Sequence, residues 1–274
     1  MSRPACRRSA RIARAAPLVR AAIVLGCALA VAPGAAQGIA ADRLRSGFDT
    51  MGPATRAMQQ DDAANPGMLA VRQAEALWRQ PAGAAGRACA DCHGEAAVSM
   101  RGVAARYPRW DEAGARPLDL SQRIASCRER HQQASRGSPE GPERLSLAAF
   151  VGHASRGLPV RPDDDPRLAP ARERGRALFG RRIGQLDLSC ADCHDARWGG
   201  RLGSSIIPQG HANGYPLYRL EWQALGSLQR RLRNCLAGVR AEPWGPDAPE
   251  YVELELHLQA RGAGLPVETP AVRP

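Results

Sequence analysis

A mainly α-helical chain built from one unit used twice is what this sequence predicts, and three observations carry the prediction. The pentapeptide Cys-Ala-Asp-Cys-His stands at residues 89–93 and again at 190–194, the two copies 101 residues apart. Upstream of each copy, a stretch with apolar residues at helical spacing ends in an aliphatic–aromatic pair, Leu77-Trp78 and Leu178-Phe179, twelve and eleven residues before the first cysteine. Downstream of each, an arginine stands four residues before a lone cysteine, Arg123 before Cys127 and Arg231 before Cys235. That spacing is about one helical turn and puts both side chains on one face.

Cys-x-x-Cys-His is the attachment signature of c-type haem. The two thiols add across the porphyrin vinyl groups, and the histidine turns its ring onto the iron as fifth ligand. A bare Cys-x-x-Cys also serves zinc sites and redox dithiols, but an identical pentapeptide used twice is a far narrower signal. The expected fold is therefore mainly α, two cytochrome c-like haem domains in tandem. Cys89, Cys92 and His93 would hold haem 1, and Cys190, Cys193 and His194 haem 2. Aromatic residues make up only 4% of the chain, so each haem also supplies an apolar plate for a small domain to pack around.

Residues 1–41 read as an export signal. Arg3, Arg7, Arg8, Arg11, Arg14 and Arg20 give a positive start, and the apolar run from Ala21 to Ala32 is too short to span a bilayer. Small residues offer cleavage after Ala36 or near Ala40-Ala41. Cys27 lies inside the apolar run, a poor context for lipidation, and no later segment has the length and hydropathy of a membrane span. The mature chain is expected to be soluble in the periplasm. Without the leader, 32 basic residues face 27 acidic ones, so the net charge of +11 falls to +5. Every basic residue other than histidine is arginine. Nothing has the aromatic interleaving of a nucleic-acid surface; a mild positive field suits small anions or an acidic partner protein.

Residues 42–157 are assigned to the N-terminal haem domain, which opens on a polar, exposed lead-in over 42–66 and a helix over 67–80. Residues 158–170 carry four prolines and three consecutive aspartates and read as an extended linker to the second haem domain, 171–274. Val252 to Leu258 alternates like a strand, although a terminal helix suits a cytochrome better. The proline-spaced tail after Gly262 is expected to be irregular and free to wrap a partner.

A six-coordinate haem needs one more ligand, usually methionine or histidine in electron carriers. No methionine occurs beyond Met100, which is only seven residues from His93 and too close to swing easily to the opposite haem face. The first half then offers Cys127, His131 and His153, and the second His211, Cys235 and His257. Removing Cys6 and Cys27 with the leader leaves Cys127 and Cys235 as the cysteines not used for attachment. In an oxidising compartment a disulfide is their default, and histidine ligation stays open, with His153 the best spare. The duplication favours Cys127 and Cys235 as axial thiolates. Thiolate stabilises Fe(III) and lowers the potential, which suits a sulfur-handling site better than a respiratory shuttle.

Both haem motifs, the cysteine after each, and Tyr215-Pro-Leu-Tyr-Arg-Leu followed by Gly226-Ser-Leu-Gln-Arg-Arg-Leu-Arg-Asn-Cys235 resemble the SoxA family over nearly the whole mature chain. SoxA is the dihaem subunit of the SoxAX cytochrome of thiosulfate oxidation. The resemblance implies an L-cysteine S-thiosulfotransferase that joins thiosulfate oxidatively to a cysteine of the carrier SoxYZ. It also implies a monohaem SoxX-like partner and a small c-type cytochrome as electron acceptor. It matches Cys235 to the active-site cysteine, carried as a persulfide on the second haem iron, Arg231 to the substrate-binding arginine and Cys127 to the first haem's axial thiolate. The residues are compatible: Arg230, Arg231 and Arg233 concentrate positive charge around Cys235, which favours thiolate, and a guanidinium can hold an oxyanion with paired hydrogen bonds. The competing readings are a solvated basic helix face and a periplasmic dihaem electron-transfer cytochrome without sulfur chemistry.

Overall fold

Two pairs of packed helices carry the architecture of residues 39–274, the range described by this computed structural model. The leader expected at 1–41, with Cys6 and Cys27, lies almost wholly outside that range.

The first pair is α2 with α6. After α1 (Pro53–Gln60), helix α2 (Met68–Arg79) buries Met68, Val71, Ala74 and Trp78, a single stripe at helical spacing. The chain then makes the short helix α3 (Ala90–His93), which holds the first haem motif, and α4 (Ala96–Ser99). A hairpin of β1 (Arg109–Asp111) and β2 (Arg116–Leu118) feeds α5 (Leu120–Cys127), capped by the Asp119 carboxylate, which accepts the Gln122 amide at 2.6 Å. Cys127 closes α5, and a π-helical turn, Arg128–Gln132, follows it. Helix α6 (Pro142–His153) starts on proline, is buried on nearly every side and packs along α2.

The second half repeats the order. Helix α7 (Ala169–Gly180) leads to α8 (Cys190–His194), the second haem motif. The small ribbon β3 (Arg201–Leu202) and β4 (Ser205–Ile206) comes next. The hairpin of β5 (Leu217–Arg219) and β6 (Ala224–Gly226) then feeds α9 (Leu228–Gly238), capped by Ser227. Helix α10 (Pro249–Arg261) packs along α7. Each hairpin starts directly after a Tyr-Pro pair, and Tyr107 and Tyr215 each stand 20 residues before the cysteine of the following helix.

Residues 252–258 are helical despite their strand-like alternation. Pro249 and Glu250 open α10, and Arg261 with Gly262 closes it, so the end signals outweigh the period-two pattern. Its alternate polar positions do not face water: Glu253 is buried and receives Arg174 at 2.6 Å.

The tail is neither irregular nor free. Residues 264–267 pair with 157–160 through Val160 N–H to Leu265 O at 2.8 Å and Val267 N–H to Leu158 O at 2.8 Å. Beyond them β7 (Ala271–Arg273) joins β5 in parallel. The expected linker is thus extended only at its start, where 158–160 pair with the C-terminal segment; Pro166–Leu168 form a 3-10 turn, and Ala169 and Pro170 already belong to α7. The lead-in is also tied down: Asn65, 1% exposed, donates to Pro270 O at 2.9 Å, and Gln59 accepts the Val272 amide at 3.0 Å. Both are polar groups that find backbone partners, so a polar sequence here does not mean an exposed one.

Helices α7 and α10 approach so closely that a Cβ on Gly175 would collide with the Glu253 carbonyl. Gly175→Ala is expected to spread the pair and cost about 2 kcal/mol. A urea midpoint equal to wild type would show that the crossing tolerates a methyl group.

Candidate haem and sulfur site

Each haem motif is a short helical turn stiffened by its own aspartate. Asp91 accepts the Ala88 amide at 2.8 Å, and Asp192 accepts the Ser189 amide at 2.9 Å while Ser189 Oγ accepts the Asp192 amide. The repeated Asp is therefore a cap that holds the cysteines and histidine of each motif in one turn. The upstream aromatics lie beside the histidines: Trp78 and His93 have ring centroids 5.7 Å apart, Phe179 and His194 6.4 Å. Trp78 also donates its indole N–H to Gly94 O at 2.9 Å.

His194 Nδ1 lies 2.7 Å from Pro208 O. A carbonyl can only accept, so Nδ1 carries the proton and the Nε2 lone pair is free to ligate iron. Gly210, at φ +78°, lets the backbone lie over the ring, since a Cβ there would be 3.0 Å from Nδ1. Burial is the main influence lowering the His194 pKa, with Arg231 and Arg261 adding to it against the Pro208 hydrogen bond.

A glycine clamp ties each motif to its cysteine helix. Before the first motif, the Ala84 and Ala85 amides donate to Gln133 O and Gln132 O, just past α5. Before the second, the Gln185 and Leu186 amides donate to Arg240 O and Val239 O, just past α9. Gly83 and Gly184 have φ of +64° and +71°, and a Cβ on either would strike the Gln132 or Val239 carbonyl.

In the first half this arrangement leaves a cavity of about 280 Å³, with Cys89, Cys92 and His93 on its wall together with Cys127. Apolar side chains, Leu120, Ile124 and Val151 among them, line much of the rest. Paired thiols, an imidazole and a further thiol around an apolar space are a donor set and surroundings that suit a covalent haem, so the residues fit the group. Met100 and His131 also reach this wall, whereas His153 does not; it lies 3.9 Å from Asp62 instead. The spare histidine nearest haem 1 is His131, not His153. In the second half Cys190 and Ala191 share an apolar cluster with Phe179, Leu228 and Leu232, which lays α9 against the motif. The Cys190 thiol is pushed up to about 11, mainly by burial and then by Cys235. Tyr215 is pushed up to about 12 by burial, with Arg231 opposing and Cys235 adding to it. Helix α9, which carries Arg231 and Cys235, therefore packs against the second motif. Among the described residues every cysteine is free, so Cys127 and Cys235 form no disulfide. His211 bonds to Gln209 at 3.1 Å and His257 stacks on Phe179 at 5.1 Å; burial and then Arg261 pull both down to about 4.

The two Arg-x-x-x-Cys helices differ in how the arginine is used. Arg123 donates to Asp111 at 2.7 Å, and Arg130 donates to the same carboxylate at 2.9 Å. Burial raises the Cys127 thiol pKa, against the pull of Arg123 and Arg130. Arg231 is half-buried and has no carboxylate partner among the described residues.

Comparison with known proteins decides the family. A family model described as SoxA/TsdA, cytochrome c domain, matches residues 73–160. The L-cysteine S-thiosulfotransferase subunit SoxA of Rhodovulum sulfidophilum is 38% identical over 232 residues, covering 85% of this chain and 81% of that protein. The chain belongs to the SoxA family. The SoxA of Pseudaminobacter salicylatoxidans is 39% identical over 80% of this chain and 77% of its own. The crystal structure of SoxXA from P. pantotrophus aligns with a TM-score of 0.81 at 30% identity, over 84% of this chain and 87% of that one. Membership of a cytochrome c family brings covalently bound haem c with it. No helix among the described residues is long and apolar enough to cross a membrane.

The Asp111 carboxyl is held at about 2, chiefly by Arg130, against burial and with the help of Arg123. A depressed pKa contributes stability that is complete above the unfolded value near 4 and is lost as pH falls toward 2. Asp111→Asn should thus cost about 2 kcal/mol at pH 7, and the difference from wild type in urea titrations should shrink below pH 4. A difference independent of pH would refute the assignment.

Proposed function

We propose that this SoxA-family chain is a dihaem c-type cytochrome that, with a monohaem SoxX-like partner, joins thiosulfate to a cysteine of a SoxYZ-like carrier. The observation that supports the proposal is the packing of α9, which carries Arg231 and Cys235, against the second motif through Leu228 and Leu232, with no carboxylate paired to Arg231 among the described residues. Two cytochrome c-like domains in tandem, 42–157 and 171–274 about the 158–170 segment, account for the repeated order of helix, motif, hairpin, cysteine helix and closing helix. Cys89 and Cys92 would attach haem 1 between His93 and Cys127, and Cys190 and Cys193 haem 2 between His194 and Cys235. A leader removed near residue 41 would deliver the chain to the periplasm.

Joining thiosulfate to a thiol forms one sulfur–sulfur bond and releases two electrons and the thiol proton. Bound haem supplies the one-electron acceptor for that chemistry, and a small c-type cytochrome would take the electrons onward. The chain's own residues do the rest. Arg231 attracts the dianion and orients its sulfonate oxygens by paired hydrogen bonds. Cys235, one turn further along α9, presents sulfur to the outer sulfur of the substrate. The Pro208 carbonyl fixes the His194 tautomer, and buried Tyr215 keeps its proton beside Arg231.

Haem analysis should give two c-type haems per chain, and one would contradict the dihaem reading. Cys235→Ser should abolish formation of the carrier adduct, read by mass spectrometry of the carrier. Arg231→Ala should lower kcat/KM for thiosulfate roughly 10- to 100-fold, the loss expected for a charge-assisted anion contact. Adduct formation at the wild-type rate in both variants would leave the chain as an electron carrier only.

A further inference from the structure

The segments 107–127 and 215–235 align without a gap, and their structural elements fall at corresponding positions. The Tyr-Pro pairs, both strands of each hairpin, the left-handed turn residues Ala115 and Gln223, the caps Asp119 and Ser227, and the terminal cysteines all correspond. Within this frame, the strand position of Asp111 in the first half is Arg219 in the second. The charge is inverted at the place where the Arg-x-x-x-Cys arginine is met.

In the first half the consequence is visible: Asp111 occupies Arg123, and no guanidinium there is left for an outside anion. In the second half an arginine fills the same place. The Arg219 side chain is 13% exposed, and its buried Nε has no hydrogen-bond partner. Its carboxylate contact is to Glu221, at 2.7 Å from Nη2, and Glu221 is 62% exposed, a surface pair of little energetic weight. Its guanidinium is held over the Trp222 ring at 5.2 Å, with Arg230 over the same ring at 4.2 Å. Burial, and after it the like charge of Arg231, lower the Arg219 pKa against the pull of Glu221, as expected where a second cation lies nearby.

We propose that Arg219 is a second oxyanion-binding residue, forming with Arg231 a two-guanidinium cradle for the sulfonate end of thiosulfate beside Cys235. This rests on the functional reading above and adds to it why only one of two duplicated sites takes substrate: Asp111 closes the first cradle, and Arg219 opens the second. Two planar forks can take the three sulfonate oxygens and leave the outer sulfur free to face Cys235. Recognition is then of the –SO₃⁻ group, and sulfate competes.

The test uses the haem-loaded chain with its haem partner and carrier. Thiosulfate KM and kcat are measured, and binding of ³⁵S-thiosulfate to the oxidised complex is followed by equilibrium dialysis. Arg219→Gln should raise KM and Kd together by about tenfold with kcat little changed. Arg219→Asp, which copies the first half, should abolish binding by engaging Arg231. Glu221→Gln, which frees the Arg219 fork, should tighten binding about twofold and sharpen inhibition by sulfate. Wild-type Kd in Arg219→Gln or Arg219→Asp overturns the proposal while the functional reading stands. If neither Arg219 variant loads haem, Glu221→Gln decides alone, and an unchanged Kd overturns it. A wild-type complex that forms no carrier adduct overturns the functional reading and this inference with it.

Discussion

The position of each cysteine helix depends on a backbone contact that no side chain makes. The loop ahead of each Cys-x-x-Cys-His turn lays its amides on the carbonyls that leave the cysteine helix, and this needs glycine at 83 and 184. The clamp ties the loop that leads into the paired thiols to the end of the helix that carries the further cysteine. A site assembled this way loses little conformational freedom on binding its group, which is the advantage of preorganisation. The hairpins complete the arrangement from the other end, since each cap residue, Asp119 or Ser227, directly follows a β-strand.

The two cysteine helices nevertheless diverge in charge and, just past their ends, in one residue of backbone. The first half neutralises its arginine through Asp111 and adds a second, Arg130, to the same carboxylate. It also carries the π turn at 128–132, so six residues separate Cys127 from the left-handed Gln133, against five from Cys235 to Arg240. Single-residue π insertions recur at functional sites, and here the extra residue brings His131 and Gln132 to the cavity wall. One framework thus carries a charge-balanced site and a cationic one.

Much of this was legible in the sequence. The pentapeptides, the aromatics ahead of them and the Arg-x-x-x-Cys segments are local patterns, and the structure places each on a helix, with Arg231 and Cys235 one turn apart on α9. The two Tyr-Pro pairs, at identical distances from Cys127 and Cys235, were equally present as a repeat signal; with them the hairpins could have been found. Other features had conflicting local signals or none. The alternation at 252–258 is compatible with a strand until Pro249 and Gly262 are weighed as helix ends. The burial of Asn65 and the pairing of Leu158 with Val267 depend on partners more than 100 residues away.

Those distant partners have a consequence for how the chain reaches its native state. Asn65 finds its acceptor at Pro270, Gln59 its donor at Val272, and the closely packed face of Gly152 is covered by Thr269. A polypeptide emerging amino end first must keep those groups solvated until its last few residues appear. High contact order of this kind slows folding, so the amino-terminal half is sealed only once the whole chain is available.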